Sequence, residues 1–184
     1  MVRETMELLT ASDLGASSIT LLREGPFKRP SLLLELLYVA DCPAPPALQV
    51  GRFLPPTLLR LLLDAEGRNL ADEVAHETLR GDCLTRNMKV ARAVIQSQAT
   101  LLASLLERGE TLARQAVADL ETAAMTGMRT LLDEELERLS ALAQINPSVR
   151  ADEIDALRTR RDQLERALTR VLLRLDAVRV LVMA

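Results

Sequence analysis

From about Thr85 the chain keeps a helical pattern for nearly sixty residues, and that length is the tightest constraint on its fold. Val94, Gln98, Leu101 and Leu105 follow alternating steps of four and three, as do Leu132, Leu136, Leu139 and Ala143. Seams of this kind mark helices that pack lengthwise on partners. A straight helix of nearly sixty residues would measure roughly 85 Å at the standard rise per residue. A compact domain of this chain's size is only about 40 Å across. Either the helix breaks, with Gly109 and Gly127 as the points, or it projects as an arm.

The pattern stops at "INPS" (145–148). Pro147 lacks an N–H and its ring clashes with the preceding turn, so the helix ends there. Ser148 or Asn146 can cap the next helix. Asp152, Glu153 and Asp155 fill its first turns, where the positive end of the helix dipole favours carboxylates. Ile154, Leu157, Leu164, Leu168, Val171 and Leu175 continue the apolar seam, with Arg161 at the skipped step. Residues 143–152 therefore read as a corner between antiparallel helices, the turn itself near 144–150.

The first third reads as strands. "SITLLRE" (18–24), "SLLLELLYVAD" (31–41), "LQVGRFL" (48–54) and "TLLRLLLD" (57–64) are short apolar runs between Pro and Gly punctuation, which suits strands better than helices of ten residues or more. In 32–40 both alternate sets are apolar apart from Glu35, so that strand is expected to be central and covered on both faces. Asn69 is a natural cap for a short helix from about Leu70 to Arg80, with Gly81-Asp82 as its breaker. At the far end Val178, Val180 and Val182 alternate with Arg179 and Leu181, a strand returning to the sheet. The expectation is one α+β domain with an antiparallel or mixed sheet and a long antiparallel helical hairpin. Residues 1–68 would be mainly sheet, 69–174 helical, and 175–184 the returning strand.

Composition excludes several functions. Phe27, Tyr38 and Phe53 are the only aromatics, which disfavours stacking platforms for single-stranded nucleic acid. A net charge of −3 and a pI near 5.4 do not describe a basic nucleic-acid binder. Cys42 and Cys83 have no CxxC spacing and suit a reducing compartment, where they act as small apolar residues. "MVRETMELLTASDL" is charged where a signal peptide is apolar, and no apolar run approaches the length of a bilayer span. The expected location is the cytoplasm, with no membrane partner.

No catalytic, cofactor-binding or metal site is legible. Phosphate-cradling glycine loops are missing. "LLDEELERL" (131–139) has acids within a helical repeat, so it reads as a solvated face rather than the acidic box of an ATPase. In "DAEGRNLADE" (64–73) Gly67 falls too early for a calcium loop. His76 is the only histidine, so no His-based metal site or nucleophilic triad can be assembled; it reads as an ordinary helix residue. "PAPP" (43–46) reads as a loop breaker. Arg158, Arg166, Arg170 and Arg174 share one i, i+4 stripe. That stripe is either a solvated face matched to the helix dipole or a contact for phosphates or an acidic protein surface.

With "RFLPPTLLRLLLDAEGRNLADEV", "INPSVRADEIDAL", "SLLLELLYVAD" and "RLDAVRVLV" in hand, the chain resembles the extreme C-terminal region of the RapA family, bacterial RNA polymerase-associated ATPases of Swi/Snf type. The resemblance runs from about residue 14 to residue 182. It implies a fragment of a larger protein that binds core RNA polymerase and uses ATP-driven translocation on nucleic acid to recycle it. ATP and Mg would belong only to upstream motor domains, and nucleic acid would be reached through that motor. Core polymerase and the upstream ATPase domains are the implied partners, with this domain a non-catalytic brace or docking surface. "AHETLRGDCL" (75–84) departs from the family in lacking aromatics. The alternative on the residues alone is a free-standing coiled-coil adaptor that oligomerises through its leucine seams.

Overall fold

A computed structural model describes residues 17–22, 27, 29–79, 81–83 and 88–183. They divide into two compact units. One comprises the described residues up to Val39 with Leu58–Arg114 and those from Arg174 on; the other comprises Ala40–Thr57 and Gln115–Leu173. The fold class is α+β.

The first unit carries a five-stranded sheet of β1 (Ser17–Leu22), β2 (Ser31–Asp41), β3 (Thr57–Leu63), β4 (Asp82–Cys83) and β5 (Leu172–Met183) in the order β3-β2-β5-β1-β4. The sheet is mixed: β1 runs parallel to β5, from Ser17 opposite Val178 to Leu22 opposite Met183, and antiparallel to β4. The last strand thus lies between β2 and β1, so the end of the chain completes the middle of the sheet. Leu33, Leu34, Glu35 and Leu36 are consecutive and all buried, as a strand covered on both faces requires.

Side chains alternate along a strand, so Leu34, Leu36 and Tyr38 share one face of β2 while Leu33, Glu35 and Leu37 share the other. The long helix packs on the first of these faces. A Cβ added at Gly109 would overlap Leu36 Cδ1 and sit 3.5 Å from Leu63 Cδ1. On the opposite face Leu22, Leu33, Leu62, Leu79, Leu181 and Met183 form a core, with Phe27, Leu70, Ala71 and Val74 packed against it.

Three helices follow: α1 (Met88–Ser97), α2 (Ala99–Ile145) and α3 (Ala151–Leu168). The expected start near Thr85 lies outside the described residues. α2 runs unbroken for 47 residues through both Gly109 and Gly127, so neither glycine breaks it. The interruption is at Gln98, whose N–H reaches Val94 O and Ile95 O at 3.2 and 3.3 Å. An isolated glycine lowers helix propensity by only about 1 kcal/mol, which packing easily outweighs.

In the second unit residues 115–145 of α2 lie antiparallel to α3. Asp133 pairs with Arg161 at 2.9 Å and Arg129 pairs with Glu165, so one helix advances as the other retreats. The core combines Ala124, Met128, Leu132, Leu164 and Leu168 with Cys42, Val50 and Leu54 from the connecting segment. Cys42 is a free thiol that donates to Ala167 O at 3.1 Å. Its burial, with Asp41 and Glu121 nearby, pushes its pKa up.

Four local expectations give way to other solutions. Residues 48–54 form no strand; they make two 3-10 turns, Pro46–Leu48 and Val50–Arg52, joined at Gln49 in a left-handed conformation. Prolines 43, 45, 46, 55 and 56 leave too few N–H groups for a ladder, and the turns let Val50 and Leu54 face the helical core together. The helix expected over 70–80 is a turn at Leu70 and one 3-10 turn at His76–Thr78. Here Ala71 O and Val74 O accept from Arg60 Nη1, and Asn69 Oδ1 accepts from Leu62 N as well as from Ala71 N, so it ties the turn to β3 rather than capping a helix. At the corner neither Ser148 nor Asn146 caps α3, whose N-cap is Arg150; Asn146 Oδ1 accepts from Ser148 N at 3.0 Å and closes the turn. β5 begins at Leu172 rather than at 175, because the helix ends at Leu168 and exposed and half-buried residues alternate from there.

Candidate functional site

Each of three neighbouring strands carries one charged residue in the middle of an apolar run: Glu35 in β2, Arg60 in β3 and Arg179 in β5. The strand order β3-β2-β5 places the carboxylate between the two guanidiniums. Glu35 is only 2% exposed. Its Oε1 accepts from Arg60 Nε at 2.8 Å, and its Oε2 accepts from Arg179 Nε at 2.7 Å and Nη2 at 2.6 Å. His76 Nδ1 lies 3.0 Å from Oε1 and 3.4 Å from Arg179 Nη2. A guanidinium has only donors, so the shorter contact with the carboxylate decides the tautomer. Nδ1 carries the proton and donates it to Glu35.

The two arginines also reach into the segment that crosses this face. Arg60 Nη1 donates to Ala71 O at 2.9 Å and Val74 O at 2.7 Å, while Arg179 Nη1 donates to Leu79 O at 3.3 Å. The cluster therefore staples residues 70–79 onto the sheet beside the core of Leu33, Leu62 and Leu181. Burial pushes the Glu35 carboxyl up, but hydrogen bonds from Arg60 and His76 and the charge of Arg179 outweigh it and hold its pKa below the ordinary 4.5. A carboxylate kept ionised, with both oxygens committed, is poorly suited to moving protons near neutral pH.

A cavity of ≈ 370 Å³ opens beside the cluster, lined by Thr20, His76, Glu77, Leu79, Gly81 and Arg179. Its charges nearly cancel, with Glu77 opposing Arg179. Among the described residues no group of three His, Cys, Asp or Glu side chains is placed to hold a metal ion. No helix among them is long and apolar enough to cross a membrane.

The four stripe arginines do not share one helical face. Arg158 pairs with Asp155 at 3.1 Å. Arg166 lies in the last turn of α3, and Arg170 lies beyond its end. Arg174 belongs to β5 and pairs with Asp176 at 3.1 Å. The sequence reading also missed the role of His76, which sits in a 3-10 turn against Glu35 rather than in a helix. The available signal was a charge flanked on both sides by apolar residues in each of three strands, at Glu35, Arg60 and Arg179.

These features define a class: an α+β domain whose polar centre is a buried structural ion cluster, with a helical hairpin as its second unit. Comparison with known proteins narrows it. The model of the RNA polymerase recycling family C-terminal domain matches residues 1–183, and the chain belongs to that family. It is 41% identical over 182 residues to the RNA polymerase-associated protein RapA of Pseudomonas putida F1 and to that of P. putida KT2440. It is 40% identical to the RapA of Stutzerimonas stutzeri A1501. Each alignment covers 99% of this chain but 19% of the relative, so the chain spans about a fifth of their length.

Proposed function

We propose that this chain is the non-catalytic C-terminal domain of a polymerase-recycling ATPase of RapA type, acting as a brace for the motor or a docking surface for core RNA polymerase. The observation that carries this reading is the family match over nearly the whole chain against a fifth of each relative. On this reading ATP and Mg serve the upstream motor domains and this chain holds no cofactor. Its partners are core polymerase and those upstream domains; nucleic acid is reached through the motor, and the setting is the cytoplasm. Of the four arginines, some or all of Arg158, Arg166, Arg170 and Arg174 would supply contacts.

Seam residues Leu105, Leu132, Leu136, Leu164 and Leu168 are buried within the chain itself, which weighs against the oligomerising adaptor. The test is to incubate purified chain with ATP and to run it with core polymerase, and separately with the motor domains, on a sizing column. No ATP hydrolysis above the blank and co-elution with either partner are expected. Hydrolysis at the rate of a complete motor would overturn the non-catalytic reading. Failure to co-elute with both would overturn the brace and the docking surface alike.

A further inference from the structure

Arg166 and Arg170 differ from the other two arginines of the stripe. Both are exposed, and neither side chain makes an ion pair or hydrogen bond among the described residues, whereas Arg158 is held by Asp155 and Arg174 by Asp176. Nearby acids are already engaged. Asp162, one turn before Arg166, accepts from Arg161 at 3.2 Å, and Glu165 pairs with Arg129. Arg166 lies in the last turn of α3 and Arg170 just past its end, so the two exposed cations fall within five residues where the helix gives way to β5. Two residues after Arg170 is Leu172, 60% exposed and one of few large apolar side chains so placed.

We propose that Arg166, Arg170 and Leu172 form a docking surface for an acidic protein patch with an apolar recess. Guanidinium groups suit carboxylates because two N–H groups can meet two oxygens at once. Interfaces favour an arginine beside a buried apolar anchor. A nucleic acid fits less well: binding that follows a phosphate backbone uses several cations, and an exposed leucine gives phosphates nothing. This inference rests on the docking form of the proposed function.

The experiment measures binding of the full chain to core RNA polymerase and, in parallel, to a short DNA duplex, at two salt concentrations. The variants are R166E/R170E, R166Q/R170Q, L172S and, as control, R138E, an exposed arginine of α2 paired with Glu135. Circular dichroism and thermal melting confirm folding; all four positions are exposed. The charge reversal is expected to weaken polymerase binding by about tenfold or more, and R166Q/R170Q and L172S by less, while R138E binds as the parent does. Equal binding by the parent chain, R166E/R170E and L172S would overturn this surface yet leave polymerase docking standing. Absence of polymerase binding by the parent chain would overturn docking and this inference with it. Duplex binding that is tighter than polymerase binding, and that is lost in R166E/R170E, would replace the acidic protein with a nucleic acid.

Discussion

Tyr38 is the chain's only tyrosine and there is no tryptophan, so its ionisation can be followed alone by absorbance. Burial, reinforced by Glu110 and opposed by Arg114, pushes its pKa from 10.0 to about 12. A phenol with a raised folded pKa contributes stability that is complete below the unfolded value and is lost as pH rises through the folded value. Tyrosinate absorbance in the native protein should therefore appear only near pH 12, and in denaturant near pH 10, with stability falling between them. Glu35 has the opposite sign. Its folded pKa lies below 4.5, so its contribution is present above that pH and is lost as acid titrates the folded carboxylate. Glu35→Ala leaves Arg60 and Arg179 without their shared partner in a largely buried site. Breaking a buried pair in this way costs about 3–5 kcal/mol, to be read from urea unfolding at neutral pH. Glu35→Gln should also flatten the acid limb of the stability profile; an unchanged limb would show that another carboxylate carries it. The charges themselves were legible, since each interrupts an apolar strand. Their meeting was not, because the adjacency of β3, β2 and β5 joins segments far apart in the chain, and no local pattern encodes it.

At the level of elements, Gly109 and Gly127 separate two meanings of glycine in one helix. Gly127 has nothing within 4 Å of an added Cβ, so Gly127→Ala should stabilise by about 1 kcal/mol through helix propensity alone. At Gly109 the same Cβ would overlap Leu36, which is wholly buried and has no room to yield. Overpacking there costs about 1–3 kcal/mol, so Gly109→Ala should destabilise despite its better propensity. Paired urea titrations check both signs, and stabilisation at both positions would contradict the close approach of α2 to the sheet. The helical hairpin and four of the strands were readable from period and punctuation. The segments 48–54 and 70–79 were not. In the first, prolines withdraw the donors that an apolar run needs to pair; in the second, distant arginines take the carbonyls that a helix would use. Both are tertiary effects that overrule a sound local pattern.

For the molecule as a whole, the leucine seams that suggested an oligomer are filled from within each unit: β-sheet residues lie under the first stretch of α2, and α3 and the 42–54 segment pack against its later part. Light scattering at tens of micromolar should give a monomer; a concentration-dependent dimer would revive the adaptor reading. Residue patterns alone lead as far as an α+β interaction domain without visible chemistry. Segment-level likeness to a polymerase-recycling family supplies the rest, and family membership over residues 1–183 supports it. The central claim is that this domain works as the accessory end of a longer motor. The most direct test is an immunoblot of native cell extract with an antibody raised against the domain. A band several times larger than 20.3 kDa is predicted; a band at that size alone would contradict the claim.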